Sequence, residues 1–207
     1  MNNPSIQSIQ EAVLVTIKHP RIKSGWQRTG SGAVSKGQKN QVYGSAVKNG
    51  AVRCVTCQGA VMPHGQAIQQ GKLNHSAVIG HILVPSKLMG CKGGETTAVA
   101  ALYGLHSPVK SYTAATSANP SIQCHFCNSL QGQMPAKISM APWVGASTPC
   151  GGVVLPWDQI QTELARRWAL MQDWQALSTS DCPKQQGMAA NKAAKTALKS
   201  VGYGKIW

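Results

Sequence analysis

The chain has 207 residues, with 20 Lys and Arg against 6 Asp and Glu, and a net charge of +14. That length fits one domain with extensions or two small ones and can bury a core, while a single Phe beside 21 Gly implies much loop. No apolar run approaches membrane-spanning length, and the charge suits a polyanion, nucleic acid ahead of an acidic membrane surface.

Residues 1–10 read as a polar arm, and Ala12 to Ile17 as a short strand. Ala12-Val13-Leu14-Val15 is too short for the apolar region of a signal peptide. The expected location is therefore cytoplasmic, or at least intracellular and reducing. From Lys18 to Lys48 the chain is rich in Gly, Ser and Gln and carries Lys18, Arg21, Lys23, Arg28, Lys36, Lys39 and Lys48 without an acid. Such a segment builds little core and is expected to be irregular, ordering along phosphates. Trp26 and Tyr43 within it are read as packing residues ahead of base-stacking ones.

Cys54-Val55-Thr56-Cys57 forms a first CxxC pair on a strand end or tight turn. Gln66 to Leu73 is polar connection. Val78 to Val84 is apolar and β-branched around Gly80-His81, and Pro85 stops it, so it reads as a strand. Ser86 to Glu95 is a Gly-rich turn, Thr97 to Leu105 has helical character, and Ser107 to Pro120 is loop. Ile122 leads into a second pair, Cys124-His125-Phe126-Cys127. His125 to Gln133 can start a helix whose first turn holds Cys127 and Asn128. Residues 134–156 form a Pro- and Gly-rich linker, with packing over the core as one expectation. Asp158 to Leu177 is the clearest helix, with Ile160, Leu164, Trp168, Met171 and Trp174 on one face and Arg167 inside that stripe. Gln185 to Val201 is Ala-rich, with Lys192, Lys195 and Lys199 on one side, suited equally to solvent and to phosphate.

The two CxxC pairs predict a zinc site. Thiolates at this spacing reach one tetrahedral ion, and two pairs complete an all-cysteine set of Cys54, Cys57, Cys124 and Cys127. Paired CxxC spacing favours metal in a reducing compartment over a disulfide framework. Of the seven cysteines, Cys91, Cys150 and Cys182 are left without a role. The 66 residues between the pairs exceed a simple zinc ribbon, so further structure must be folded between them.

A strand ending in His-Ile-x-x-Pro, a Gly-Gly turn, an Asn, and then C-x-x-C-Asn-x-x-x-Gly resembles the HNH (ββα-metal) endonuclease family in its zinc-knuckle form. The matching positions are His81, Pro85, Gly93, Gly94, Asn119, Cys124, Cys127, Asn128 and Gly132, with Cys54 and Cys57 as the upstream knuckle. The resemblance covers about residues 50–135 and leaves more than half of the chain unexplained. It implies a two-stranded hairpin packed on a helix, with one catalytic cation between them. His81 would be the general base. Asn119 would orient His81 or brace the loop, and Asn128 would ligate the cation through its amide oxygen. Oxygen ligands suit Mg2+ or Mn2+, while imidazole-containing sites also admit Zn2+ or Ni2+. The four-cysteine Zn2+ would be structural.

Two departures from the family pattern stand out. Gly80 occupies a position where many members place a metal-ligating Asp. Glu95 is the only acid between residues 50 and 150 and is the candidate replacement, with His75, Asn74 or water as others. The step from His81 to Asn119 spans 38 residues and contains the expected helical insertion.

The expected architecture is α+β. Residues 1–50 form a basic extension, 51–135 a zinc-stabilised HNH-like domain, 136–157 a linker, and 158–207 a helical basic extension. The expected function is a metal-dependent DNA endonuclease, with RNA as another substrate and a phage-type enzyme as the nearest analogy. Phosphate contacts are expected from the basic N-terminal segment and from Arg53, Lys87, Lys92, Lys137, Lys192, Lys195 and Lys199. Gly80 supports an alternative, a zinc-stabilised nucleic-acid-binding protein without catalysis. A third reading, a small assembly protein using the face of the helix at 158–177, would be supported by Trp168 and Trp174 exposed together and opposed by Trp157, Trp168 and Trp174 buried on the core. No membrane partner is expected, and the sequence leaves the oligomeric state open.

Overall fold

The computed structural model describes residues 35–85 and 119–204. Expectations for Trp26, Lys87, Cys91, Lys92, Gly93, Gly94 and Glu95, for the strand at 12–17 and for the helix at 97–105 lie outside the described residues. The described elements are α1 (Lys36–Ser45), β1 (Val47–Lys48), β2 (Ala51–Val52), α2 (His64–Gln69), β3 (Ala77–His81), β4 (Pro120–Cys124), α3 (His125–Gln131), α4 (Ala136–Ser139), α5 (Trp157–Ala176) and α6 (Pro183–Ser200). The fold is α+β, with two small antiparallel ladders and a layer of helices.

The first correction concerns residues 36–45, which form a helix rather than an irregular arm. Ser35 and Gln38 make a reciprocal capping box, each side chain bonded to the other's backbone N–H. The helix is polar by composition, so its stability comes from packing rather than propensity. Val42 and Tyr43 are buried, and the Tyr43 hydroxyl donates to the Ala77 carbonyl at 2.9 Å. Gly44 sits where three helices meet. A Cβ there would lie 2.6 Å from the Trp174 ring on α5 and 3.1 Å from Ala194 on α6. Ala190 and Ala194 line the facing side of α6 and are fully buried. Small side chains on both helices thus permit the close approach. Asn40 donates to Asn191 across the same contact at 2.8 Å.

Helix α5 follows its sequence pattern, with Ile160, Leu164, Met171 and Trp174 buried and Trp157 and Trp168 half-buried against the core. Trp168 and Trp174 are therefore not exposed together, which removes the support that such exposure would have given the assembly reading. Gln66 to Leu73, expected as plain connection, contains most of α2, of which only Ala67 is buried. One core cluster joins Val42 and Tyr43, Val52 and Val55, Ile82 and Ile122, Met140 and Val154, Ile160 and Leu164, and Ala190, Leu198 and Tyr203. It therefore draws on residues on both sides of the expected boundaries at 50, 135 and 157.

Strands β3 and β4 pair antiparallel, from Ala77 opposite Cys124 to His81 opposite Pro120. Helix α3 begins on the residue after β4 and packs back on both strands. The result is a two-stranded ladder followed directly by a helix. Three helices (α1, α5 and α6) form the adjoining layer, and α1 lies against β4.

Candidate functional site

Two links bring the cysteine pairs together. The Val55 amide donates to the Ile122 carbonyl at 2.7 Å, docking the first pair beside the end of β4. Cys124 is both the last residue of β4 and the N-cap of α3, and its Sγ accepts from the Cys127 amide at 3.3 Å. The first pair closes in a tight turn, in which Gln58 donates to the Cys54 carbonyl and takes a left-handed φ of 58°.

The ligand sulfurs of Cys54, Cys57, Cys124 and Cys127 all lie within 4.8 Å of one another, and all four residues are buried. Zinc–sulfur bonds of about 2.3 Å place tetrahedral sulfurs ~3.8 Å apart, so this cluster can hold a metal ion such as zinc. The cluster is also poised electrically. Burial alone would raise the Cys54 thiol, but hydrogen bonds from Cys124, Cys127 and Cys57 pull it well below its ordinary value. Hydrogen bonds from Cys124, then Cys127 and Cys150, lower Cys57 to about 4. Cys124 is pushed up by its hydrogen bonds to Cys127, Cys150, Cys54 and Cys57. Binding of a cation by four thiolates releases the protons that the thiols carry.

A third segment completes the centre. Residues 147–155, expected as linker, lie over the first cysteine pair. Val153 donates to the Cys57 carbonyl and Leu155 to the Thr56 carbonyl. Thr148-Pro149-Cys150-Gly151 is a β-turn closed by the Gly151 amide on the Thr148 carbonyl, with Pro at its second position. Gly152 is required by close approach, because a Cβ there would meet the Cys57 carbonyl oxygen at 2.1 Å. The turn sets Cys150 against the cluster, with its Sγ 3.4 Å from that of Cys57. The sequence marks a turn here but not what the turn covers.

His81 ends β3. Burial lowers the pKa of its imidazole, and its Nε2 is buried without a hydrogen-bond partner among the described residues. Its carbonyl accepts from Gln131 of α3 at 2.7 Å. Asn128 lies on α3 one turn before Gln131 and is half-buried. Asn119 is fully buried and braces the loop after β3. Its Oδ1 accepts from the amides of Leu83 and Val84, and its Nδ2 donates to the Val84 carbonyl.

Gln123 and Gln131 are residues that sequence reasoning passed over. Gln123 is fully buried on β4, and its Nε2 donates to Thr56 Oγ1 and to Gln131 Oε1, both at 2.8 Å. This polar chain runs from the first cysteine pair through β4 and α3 to the His81 carbonyl. Gly80 is part of the same packing. A Cβ at Gly80 would fall 1.9 Å from Gln123 Oε1 and 2.7 Å from its Cδ. A Gly80→Ala variant is therefore expected to force Gln123 out of two buried hydrogen bonds and to cost about 2–3 kcal/mol. Urea denaturation measures this loss, and Gly80→Ala combined with Gln123→Ala should cost less than the sum of the two single changes.

Among the candidate phosphate contacts, Lys137, Lys192, Lys195 and Lys199 are exposed, the last three along α6. Arg53 is engaged otherwise. Its guanidinium donates to the Lys48 carbonyl at 3.3 Å and the Gln58 carbonyl at 2.8 Å, tying the β1–β2 hairpin to the cysteine turn. No helix among the described residues is long and apolar enough to cross a membrane. No family model, curated protein or solved structure matches this chain.

Proposed function

We propose that this chain is a metal-dependent DNA endonuclease of the HNH (ββα-metal) class, with its four-cysteine cluster holding a structural Zn2+. One observation carries the reading. Strand β3 ends in a half-buried His81, and its antiparallel partner β4 leads directly into a helix with Asn128 in its first turn. In this reading the imidazole of His81 accepts a proton from the attacking water, the step for which a neutral base near pH 7 is suited. Asn119 holds the loop that follows His81, and Gln131 holds the His81 carbonyl, so the base has a fixed position. A divalent cation such as Mg2+ or Mn2+ at the Asn128 amide oxygen would supply charge neutralisation at the phosphate and the leaving 3′ oxygen. Lys192, Lys195 and Lys199 add sequence-blind attraction to the DNA backbone.

Plasmid nicking with Mg2+, Mn2+ or Ni2+ tests the reading. Cleavage is expected to need added divalent cation and to fall at least ~100-fold in His81→Ala, with zinc content unchanged. Cleavage that survives the substitution would remove His81 from the chemistry.

Gly80 favours a second reading, a nucleic-acid-binding protein without catalysis. The space beyond its Cα is filled by Gln123, leaving no room for an acidic ligand at that position. Salt-sensitive DNA binding by both proteins, with no nicking under any cation, would select this reading.

A further inference from the structure

We infer that Cys150 is a reserve sulfur ligand of the metal centre, able to take the place of Cys57 as the fourth thiolate. The inference does not depend on nuclease activity. Its ground is the geometry of a fifth thiol that the spacing of the two CxxC pairs does not include.

Cys150 Sγ lies 3.4 Å from Cys57 Sγ, outside the set of four sulfurs that all lie within 4.8 Å of one another, so it adjoins the ligand it would replace and closes on the ion as Cys57 leaves. Both residues are buried, so neither thiol is competing for bulk water. Thr148 Oγ1 donates to Cys57 Sγ at 3.4 Å and lies 3.2 Å from Cys150 Sγ, so one hydroxyl serves both sulfurs. The placement is built by backbone. The 148–151 turn presents Cys150, and Gly59 and Gly152 admit the turn to the first cysteine pair. A Cβ on Gly59 would lie 2.4 Å from Cys150 Sγ and would exclude it. A buried cysteine that only fills space has no need of a shared hydroxyl or of two glycines that bring it onto a ligand sulfur.

The exchange balances without a co-reactant. With the four paired cysteines on the metal, Cys57 would be a thiolate, and the S–H of Cys150 would lie in hydrogen-bond contact with it. When the Cys57–metal bond breaks and the Cys150–metal bond forms, that proton passes from Cys150 to Cys57. The centre keeps four thiolates and the same charge. Loss of the Cys57 thiolate alone then does not release the ion.

The test uses the full chain loaded with Co2+ in place of zinc, because the intensity of thiolate-to-cobalt charge transfer counts bound sulfurs. Four sulfurs are expected in the wild type and in Cys57→Ala, and three in Cys57→Ala combined with Cys150→Ser. Three sulfurs in the single variant, or four in both, would overturn the assignment. Should Cys57→Ala fail to fold, zinc release to excess chelator is measured in Cys150→Ser alone. Serine keeps the hydrogen-bond donor and nearly the volume but ligates zinc poorly. Release is expected to be about tenfold faster than in the wild type. An unchanged rate would mean that Cys150 only packs.

Discussion

Removing the metal is expected to unfold this protein. The prepared chain should contain one equivalent of zinc, and a chelator strong enough to take it should abolish the cooperative thermal transition. The reason lies in where the cluster sits. Cys54, Cys57, Cys124 and Cys127 belong to the core itself and join the first cysteine turn, β4 and α3 at one point. Around that point the strands are two and five residues long, too short to hold themselves. Structural zinc contributes roughly 10–16 kcal/mol of apparent binding free energy in small zinc modules, against a total domain stability of about 5–15 kcal/mol. Cys124→Ala should be as damaging as chelation, because it removes a sulfur ligand together with the side chain that caps α3 through the Cys127 amide. Metal content by atomic emission and helicity by circular dichroism, with and without chelator, measure both effects. A melting curve unmoved by complete metal loss would show that the apolar core alone holds the fold.

The parts of this architecture that were readable from sequence are those with local signals. The apolar stripe of α5 repeats every three to four residues, and its predicted range, Asp158 to Leu177, is displaced by one residue from the observed Trp157–Ala176. The second CxxC pair and the helix start at His125 fall where their spacing places them. Strand β3 is shorter than expected, ending at His81, because Asn119 draws the Leu83 and Val84 amides into a side-chain-braced loop. Helix α1 was not legible by periodicity, since Lys36–Ser45 carries only Val42 and Tyr43 as sizeable apolar groups. Its local signals were Ser35-x-x-Gln38 at the start and Asn49-Gly50 in the hairpin beyond. What buries it is a glycine matched to alanines 150 residues away, which no window can see. The same distance hides Cys150, whose turn is written in Thr-Pro-Cys-Gly but whose target, Cys57, is 93 residues earlier. Arg167 interrupted the apolar stripe openly; its partner Glu163, four residues before, was the clue to its burial.

Glu163→Gln is expected to cost about 3–5 kcal/mol, the cost of leaving a buried charge without its partner. Arg167 is 2% exposed, on a helix packed against the site. Its Nε donates to Glu163 Oε1 at 2.7 Å, and its remaining donors reach Ser121 Oγ, the Ile122 carbonyl and the Arg53 carbonyl. One guanidinium thereby fastens α5 to β4 and to the residue before Cys54. Arg166 adds two further bonds to the same carboxylate, both 2.8 Å. Burial alone would raise the Glu163 carboxyl, but Arg166 and Arg167 overcome it and hold the group at about 2, against an ordinary 4.5. Protons therefore bind the unfolded chain more readily than the folded one across that interval. The stabilisation is complete above the ordinary carboxylate value and is lost as pH falls from there toward 2. In Glu163→Gln, stability should be lower throughout the neutral range, and its decline below pH 4.5 should be shallower. Arg167→Met alone should also destabilise, because it leaves the Arg53 carbonyl and Glu163 unpaired by that guanidinium. Glu163→Gln combined with Arg167→Met should cost less than the sum of the single changes, since no uncompensated charge is left in the core. An additive double variant would mean that Glu163 and Arg167 act separately, and that the joint between α5 and β4 is held by apolar packing alone.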